Sequence, residues 1–535
     1  MIPSLIMLLA CKGEAPKVQV NDSASSQVEA PGIEPQSTPE AASLRRLTVA
    51  QYRNSIEQIF GNGILQPTAL EPDLPSEGLL SVGSAVTSIS PVGVERYEDA
   101  AYLISEQVMS ESQRETFIPC SPADSTDEVC AREWIEIIGR QVYRRGLTED
   151  ETDALVNVHS TVGSESGDFY IGAEFALAAM LQSPHFLYRT EHGDGGTNIT
   201  DTELASKLSF LLWNSPPDLQ LLEAAESGRL SDEDGLREEV DRLIADDRFR
   251  WGVRNIFNEI FTLYSLDNLI KDPLIYTHAN SDLGPAAREE TLLGLEKIIV
   301  EDDRDFRDIF TTQSTFVDRR LAALYNIPAP SELGFEPITL DSDDGRRGLL
   351  GQASILAQFA HTSSSSATLR GVFIRKTLLC HEIPPPPADV DTSIPEADAN
   401  APTLRDRIAS HLEEPTCATC HQLTDLVGLG LENFDGIGRW RTTENEAVID
   451  ASGTLDGTPF SDGWELGETI KMHPSLGSCF AGHVYRYSMG HPINDESDDF
   501  HQWLTQGFAY EGWSFAKLLR TTALSQGFRT AGAIE

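Results

Sequence analysis

Positive charge is scarce in this chain: 40 lysines and arginines stand against 84 aspartates and glutamates over 535 residues, a formal net charge of −44. With no local basic patch to offset that field, a phosphate backbone is repelled, which argues against nucleic acid as a partner. Long apolar runs are missing too, since beyond the first ten residues no stretch is long enough to span a bilayer. The chain contains no G-x-S-x-G, P-loop, H-E-x-x-H or Rossmann fingerprint, which removes the commonest motif-borne hydrolase and nucleotide functions. Strand-like alternation is rare. The length exceeds what one core can serve and suits three or more modules.

What is present begins with MIPSLIMLLACKGEAP, an apolar stretch that ends in Leu8, Leu9, Ala10 and Cys11. Although residues 1–10 are few and lack Lys or Arg, the stretch resembles a bacterial lipobox, where cleavage before a cysteine leaves that cysteine to carry lipid. Residues 11–43 are polar and irregular, as a solvated tether would be. The expectation is an exported protein, lipid-anchored through Cys11 to a membrane of the bacterial cell envelope, in the periplasm or at the cell surface.

Export favours disulfides over free thiols. Of the seven cysteines, Cys11 is set aside for lipid and Cys417 and Cys420 for the motif CATCH, which leaves four. Cys120 and Cys130 flank the polar loop SPADSTDEV, which a bridge would close at the mouth of the next helix. Cys380 and Cys479 would then pair by elimination, although four cysteines allow three pairings.

Helical periodicity dominates the body. Thr48 and Gln51 stand at capping-box spacing before an apolar stripe of Val49, Tyr52, Ile56, Ile59 and Phe60, and Gly61 stops the helix. Thr148 with Glu151, and Thr200 with Glu203, open further helices, the latter carrying Leu204, Leu208, Leu211 and Leu212 on one face. Periodicity of this kind continues through 284–326. A small hairpin is expected within 447–460, where Gly453 and Gly457 supply turn geometry. Four consecutive prolines in IPPPPADVDTSIPEADANAPT form a stiff boundary before the helix capped by Thr403 and Asp406. The fold class is therefore mainly α, a multi-module helical protein with a small β-hairpin element in its C-terminal third. The modules are 1–10 (signal), 11–43 (tether), 44–117, 118–195, 196–335, 336–445 with the CxxCH, and 446–535.

CATCH, residues 417–421, carries the chemistry. On a helical turn Cys417 and Cys420 share a face on which two thiols can add across two vinyl groups, and His421 follows as proximal ligand, so the motif meets the geometric demand of covalent haem c. A thioredoxin-like dithiol would want a βαβ context, a structural zinc would want a fourth ligand such as His411, and a plain disulfide needs nothing more. Met489 is the candidate distal haem ligand, with Met472, His483, His491 and His501 as alternatives and a five-coordinate haem equally consistent with the sequence.

LRRLTVAQYRNSIEQIFG, GRQVYRRGLTEDE, ASKLSFLLWNSPPDLQLL, RRGLLGQASILAQFAHTSSSSATLRGVFIRKTLLCHEIPPPP and CATCHQLTDLVGLGLENFDGIGRWR together resemble the multi-module proteins of unknown function from planctomycetes and myxobacteria that are grouped with planctomycete-type cytochrome c domains. That family commonly reads C-x-x-C-H-x-x-M-D-P, whereas here Thr424 stands at the methionine position and Leu426 at the proline. Leu431, Glu432, Asn433, Phe434, Asp435, Gly438, Arg439 and Trp440 stay in register and look like a framework packed around the motif. The resemblance implies electron transfer or another redox role through haem, with an unknown redox partner. The alternative is a non-catalytic surface binding or assembly protein whose CxxC is a structural disulfide.

The lipobox expectation has a direct check. Labelled palmitate supplied to a bacterial host should enter the full-length protein and be lost in Cys11→Ser; an unlabelled parent protein refutes the anchor.

Overall fold

The computed structural model describes residues 29–36, 43–193, 198–341, 345–384, 397–413 and 415–531, without the side chains of 43, 410–413, 415–417 and 419. The signal segment 1–10, Cys11 and most of the tether lie outside those residues. Among the described residues the chain is mainly helical, and its strands form four two-stranded antiparallel ribbons. No described helix is long and apolar enough to cross a membrane.

Local signals place the helix starts. Thr48, Thr148 and Thr200 each cap a helix with a reciprocal capping box to Gln51, Glu151 and Glu203, and each such cap contributes about 1 kcal/mol. The first helix, Val49–Phe60, ends at Gly61 with φ 87°, a conformation that costs glycine no Cβ clash. The helix Leu404–Glu413 begins where Thr403 and Asp406 exchange hydrogen bonds, the amide of each donating to the other's side chain.

The ribbons fall in three places. Just before the first cap, Ser43–Arg46 is a strand paired antiparallel with Tyr188–Glu191. Four-residue strands are too short to show a period of two. Between 284 and 326 the helix Leu283–Glu296 gives way to a strand, Ser314–Val317, paired with Glu336–Thr339, before the helix Arg319–Tyr325. The expected hairpin at 447–460 is split in two. Gly453–Leu455 pairs with Thr458–Phe460 around an Asp456-Gly457 turn, and Thr443–Glu444 pairs with Ala447–Val448.

Apolar cores cross the module boundaries. One core packs the helices Val49–Phe60, Pro91–Val108, Glu128–Val142 and Phe169–Gln182 around the buried Trp134. A larger core runs from Leu79 to Ala531 and includes Val427, Leu431 and Phe434 near CATCH. The helix Asp201–Leu212 is shared: Phe210 joins the first core, while Leu204, Leu208 and Leu211 join the second. It is buried on every side from Glu203 onward, so the single apolar face read from its leucines is only half of its contact surface. Near the CxxCH, a small cluster of Ala367, Leu404, Ile408 and Leu429 seats the helix Leu404–Glu413.

Glu290 lies inside this fold with no exposure, accepting hydrogen bonds from Thr315 Oγ1 at 2.7 Å and Tyr325 Oη at 2.5 Å. Burial pushes its carboxyl up to about 7 from the usual 4.5. A raised carboxyl supports the folded state fully below its unfolded pKa and loses that support as pH rises through the folded value. Urea unfolding of the parent and Glu290→Gln should therefore diverge in favour of the glutamine variant as pH rises from about 4.5 to above 7, by up to about 3 kcal/mol. Parallel stability curves would refute the assignment.

Candidate redox site around the CxxCH helix

CATCH lies in the helix Pro415–Gly428. Two glycines let this helix meet the helix Ala367–Val372 backbone to backbone: a Cβ on Gly428 would fall 1.8 Å from the Ala367 carbonyl oxygen, and one on Gly371 would fall 1.9 Å from that of Thr424. Any side chain at either position would force the pair apart. Arg370, with no exposure, sits at this crossing and donates to the carbonyls of Leu356, Leu431, Phe434 and Asp435. Glu432, itself buried, lies 3.5 Å from Arg370 and 2.8 Å from Arg441 and accepts from Ser365 Oγ. Asp435 caps a turn by accepting from the amides of Ile437 and Arg439. The residues from Leu431 to Trp440 thus form a framework whose carboxylates are consumed by structure.

Within the motif, His421 Nδ1 lies 2.8 Å from Asp425 Oδ2, one turn on. Asp425 has no exposure, and its other oxygen accepts from Thr368 Oγ1 at 2.8 Å and Thr424 Oγ1 at 3.0 Å. A carboxylate on one ring nitrogen fixes the imidazole's orientation and tautomer and makes Nε2 the nitrogen that a metal would take. Cys420 carries a free, part-exposed thiol whose Sγ is 3.6 Å from the Pro384 carbonyl. Cys417 occupies the same helix, its side chain outside the described residues. The donor set at Cys420 and His421 therefore fits covalent haem in both chemistry and spacing. Asp425 was missed in the sequence, though a carboxylate four residues after a motif histidine on a helix was a usable signal.

Met489 lies elsewhere. It ends the helix Pro474–Met489 within the large core, and the adjacent carbonyls of Tyr487 and Ser488 accept from Arg45. Its helix packs on Asp498–Tyr510, Leu80–Val86 and Phe515–Leu524, whereas the CATCH helix packs chiefly on Ala367–Val372 and Leu404–Glu413. His483, on the same helix, is spent on structure: Nε2 is 2.8 Å from the Thr377 carbonyl, and Nδ1 accepts from Arg486. Burial pushes its imidazole down to about 3.

Two disulfides are present, Cys120–Cys130 and Cys380–Cys479. The second pins the start of segment 381–384, which lies over Cys420, to the helix Pro474–Met489. Beside it, ligand-type atoms of His381, Asp456 and His473 lie within 4.8 Å of one another. His473 Nδ1 accepts from the Ser475 amide, so its Nε2 carries the proton donated to Asp456 Oδ2 at 2.9 Å. Asp456 also receives Arg375 Nη1 at 2.7 Å, and Arg375 Nε donates to the Leu423 carbonyl of the CATCH helix. A protonated Nε2 and a guanidinium on the carboxylate make this trio a hydrogen-bonded brace. Its members are too far apart in sequence for any motif to have revealed it.

A cleft of about 580 Å³ opens between the helices Val49–Phe60 and Phe249–Ile260, with Asn54, Glu57 and Gln58 facing Trp251, Asn255 and Asn258. Its arginines are already taken: Arg248 by Asp218 and Asp246, Arg254 by Glu289 and Glu296, Arg288 by Asp267. No thiol or imidazole lines it.

Four domain descriptions match successive stretches of the chain, each a protein of unknown function: PSD3 (DUF1587) at residues 45–110, PSD5 (DUF1595) at 130–191, PSD4 (DUF1592) at 199–327 and PSCyt3 (DUF1588) at 346–444. The PSCyt3 match encloses CATCH and its framework. No curated protein and no solved structure matches the chain.

The Cys380–Cys479 bridge closes a separation of 99 residues, worth about 4.7 kcal/mol in the chain-entropy description. Cys380→Ser with Cys479→Ser should lower unfolding free energy by that order and, by releasing segment 381–384, speed maleimide alkylation of Cys420, followed by peptide mass spectrometry. An unchanged alkylation rate refutes the covering role.

Proposed function

Because these four domains follow one another along it, the chain is a multi-module protein built of domains of unknown function, and we propose that it is a cytochrome c-like redox protein of the bacterial cell envelope. In this reading Cys417 and Cys420 would hold haem c through their sulfurs, His421 would ligate its iron and Cys11 would carry the lipid, while Met489, buried in the large core on a helix away from the CATCH helix, is assigned no ligand role. The observation that carries it is the buried Asp425 carboxylate on His421 Nδ1 next to the free thiol of Cys420. A disulfide or a packing histidine needs no such orienting group, whereas a metal-ligating imidazole commonly has one.

Haem c supplies one-electron exchange when bound. The chain's own residues do the rest. Thr368 and Thr424 hold Asp425, Asp425 holds the imidazole, and the glycine-mediated crossing holds the helix that carries all of them. Segment 381–384, tied down by its disulfide, screens Cys420 on one side. The chain's net negative charge would favour a basic redox partner by steering.

Expression with a c-type haem maturation system should yield a covalent Soret-absorbing species that survives denaturation and is lost in the Cys417→Ala, Cys420→Ala double variant. Asp425→Asn should keep the covalent bond and move the midpoint potential to more positive values, because the imidazole then donates less. A colourless parent protein, whose CATCH peptide mass shows no tetrapyrrole, sinks the redox function.

A further inference from the structure

Arg45 and Arg189 stand directly opposite each other in the ribbon that joins Ser43–Arg46 to Tyr188–Glu191. Like charges facing across strands repel. Both side chains are buried, at 2% and 5% exposure, and Lys207 from the helix Asp201–Leu212 is buried with them. One carboxylate serves this group: Glu191 lies 3.4 Å from Arg45 Nη1 and 2.9 Å from Lys207 Nζ. Burial, then the nearness of Arg45, holds the Arg189 guanidinium down at about 9. The next buried carboxyl, Glu259, accepts from the Ser81 amide and Asn255 Nδ2, and burial raises it to about 7. Even with Glu259 ionised, three buried cations face two carboxylates, which leaves positive charge unbalanced inside a chain of net charge −44. Buried charge left unpaired is costly.

These groups meet at a cavity of about 10 Å³, lined by Arg45, Arg189 and Lys207 together with Gln51, Ser81 and Tyr487. That volume suits a single water-sized particle. The Nη atoms of Arg45 are used on the Ser488 and Tyr487 carbonyls, but its Nε is a buried donor with no partner, and so is Nε of Arg189. Nε of Arg189 is the guanidinium atom that is shut away without an acceptor among the described residues, and the group lies 4.9 Å over the Phe210 ring. The Tyr487 hydroxyl accepts from Asn255 Nδ2, which leaves its proton for another acceptor, and the Gln51 carbonyl is taken by the Thr48 amide. A water here would meet mainly donors, with the unpartnered Ser81 Oγ as one acceptor for its protons. A monatomic anion needs only donors and brings the missing negative charge.

We infer that this cavity is a buried halide site that takes chloride between Arg45 and Arg189. The anion joins the ribbon, the helix Asp201–Leu212 and the end of the helix Pro474–Met489, and so couples three parts of the chain that are distant in sequence.

The test uses the full-length protein. At constant ionic strength, replacing sodium gluconate with sodium chloride or bromide should raise Tm by about 2 °C or more in a saturable way. Arg189→Met, which keeps much of the side-chain volume and removes the charge, should lose that dependence. Crystals of the unmodified protein soaked in bromide should show an anomalous peak between Arg45 and Arg189, a readout that survives even if the variant fails to fold. A Tm indifferent to halide, or a bromide-soaked crystal with no anomalous peak in the cavity, overturns the site.

Discussion

A guanidinium with no access to water governs how the CxxCH helix is held. Arg370 brings donors to four backbone carbonyls drawn from 356, 431, 434 and 435, and Glu432 answers its charge. Burial lowers the pKa of this group, and removal of any one acceptor leaves a desolvated donor behind. The turns around Leu431–Asp435 are therefore locked to the helix Ala367–Val372. That helix meets the CATCH helix through Gly371 and Gly428 at a distance that no larger residue permits. The orientation of His421 inherits its rigidity from this arrangement, because Asp425 and its partner Thr368 lie on the two helices so joined.

The same economy of polar groups runs through the molecule. Carboxylates near the motif that could suggest ligands, Glu432 and Asp435, are consumed by arginine and turn amides. Asp456 and His473 brace segment 381–384 through Arg375. In these clusters each carboxylate is engaged by cations or amides, and the groups are structural. Around Arg189 cations outnumber carboxylates, and that imbalance is what the proposed halide would answer.

Modules that are separate in sequence are not separate in packing. The helix Asp201–Leu212 sends Phe210 into one core and its leucines into the other, so it serves both sides at once. This helix is buried all round, its apolar residues interrupted by the buried Ser206, Lys207 and Ser209, with Lys207 neutralised by Glu191. The ribbon between Ser43–Arg46 and Tyr188–Glu191 closes the N-terminal unit and also presents its arginines to the helix Pro474–Met489.

By itself the sequence determined the helical class, the capped starts at Thr48, Thr148, Thr200 and Thr403, the Asp-Gly turn near 457, and the pairing of CATCH with its downstream framework. These are local matters, decided by side chains within four residues of one another and by the period of the apolar pattern. The Cys380–Cys479 pairing expected by elimination is present, whereas the tertiary structure alone decided the Arg45–Arg189 opposition, the Arg370 anchor and the His381–Asp456–His473 brace. Each joins residues dozens to hundreds of positions apart, whose meeting depends on how helices cross, and no local period or spacing encodes that. Asp425 stands between the two cases: its spacing from His421 was visible in the sequence, but its burial, which makes the contact matter, came from the packing of Thr368 and Gly371 against it.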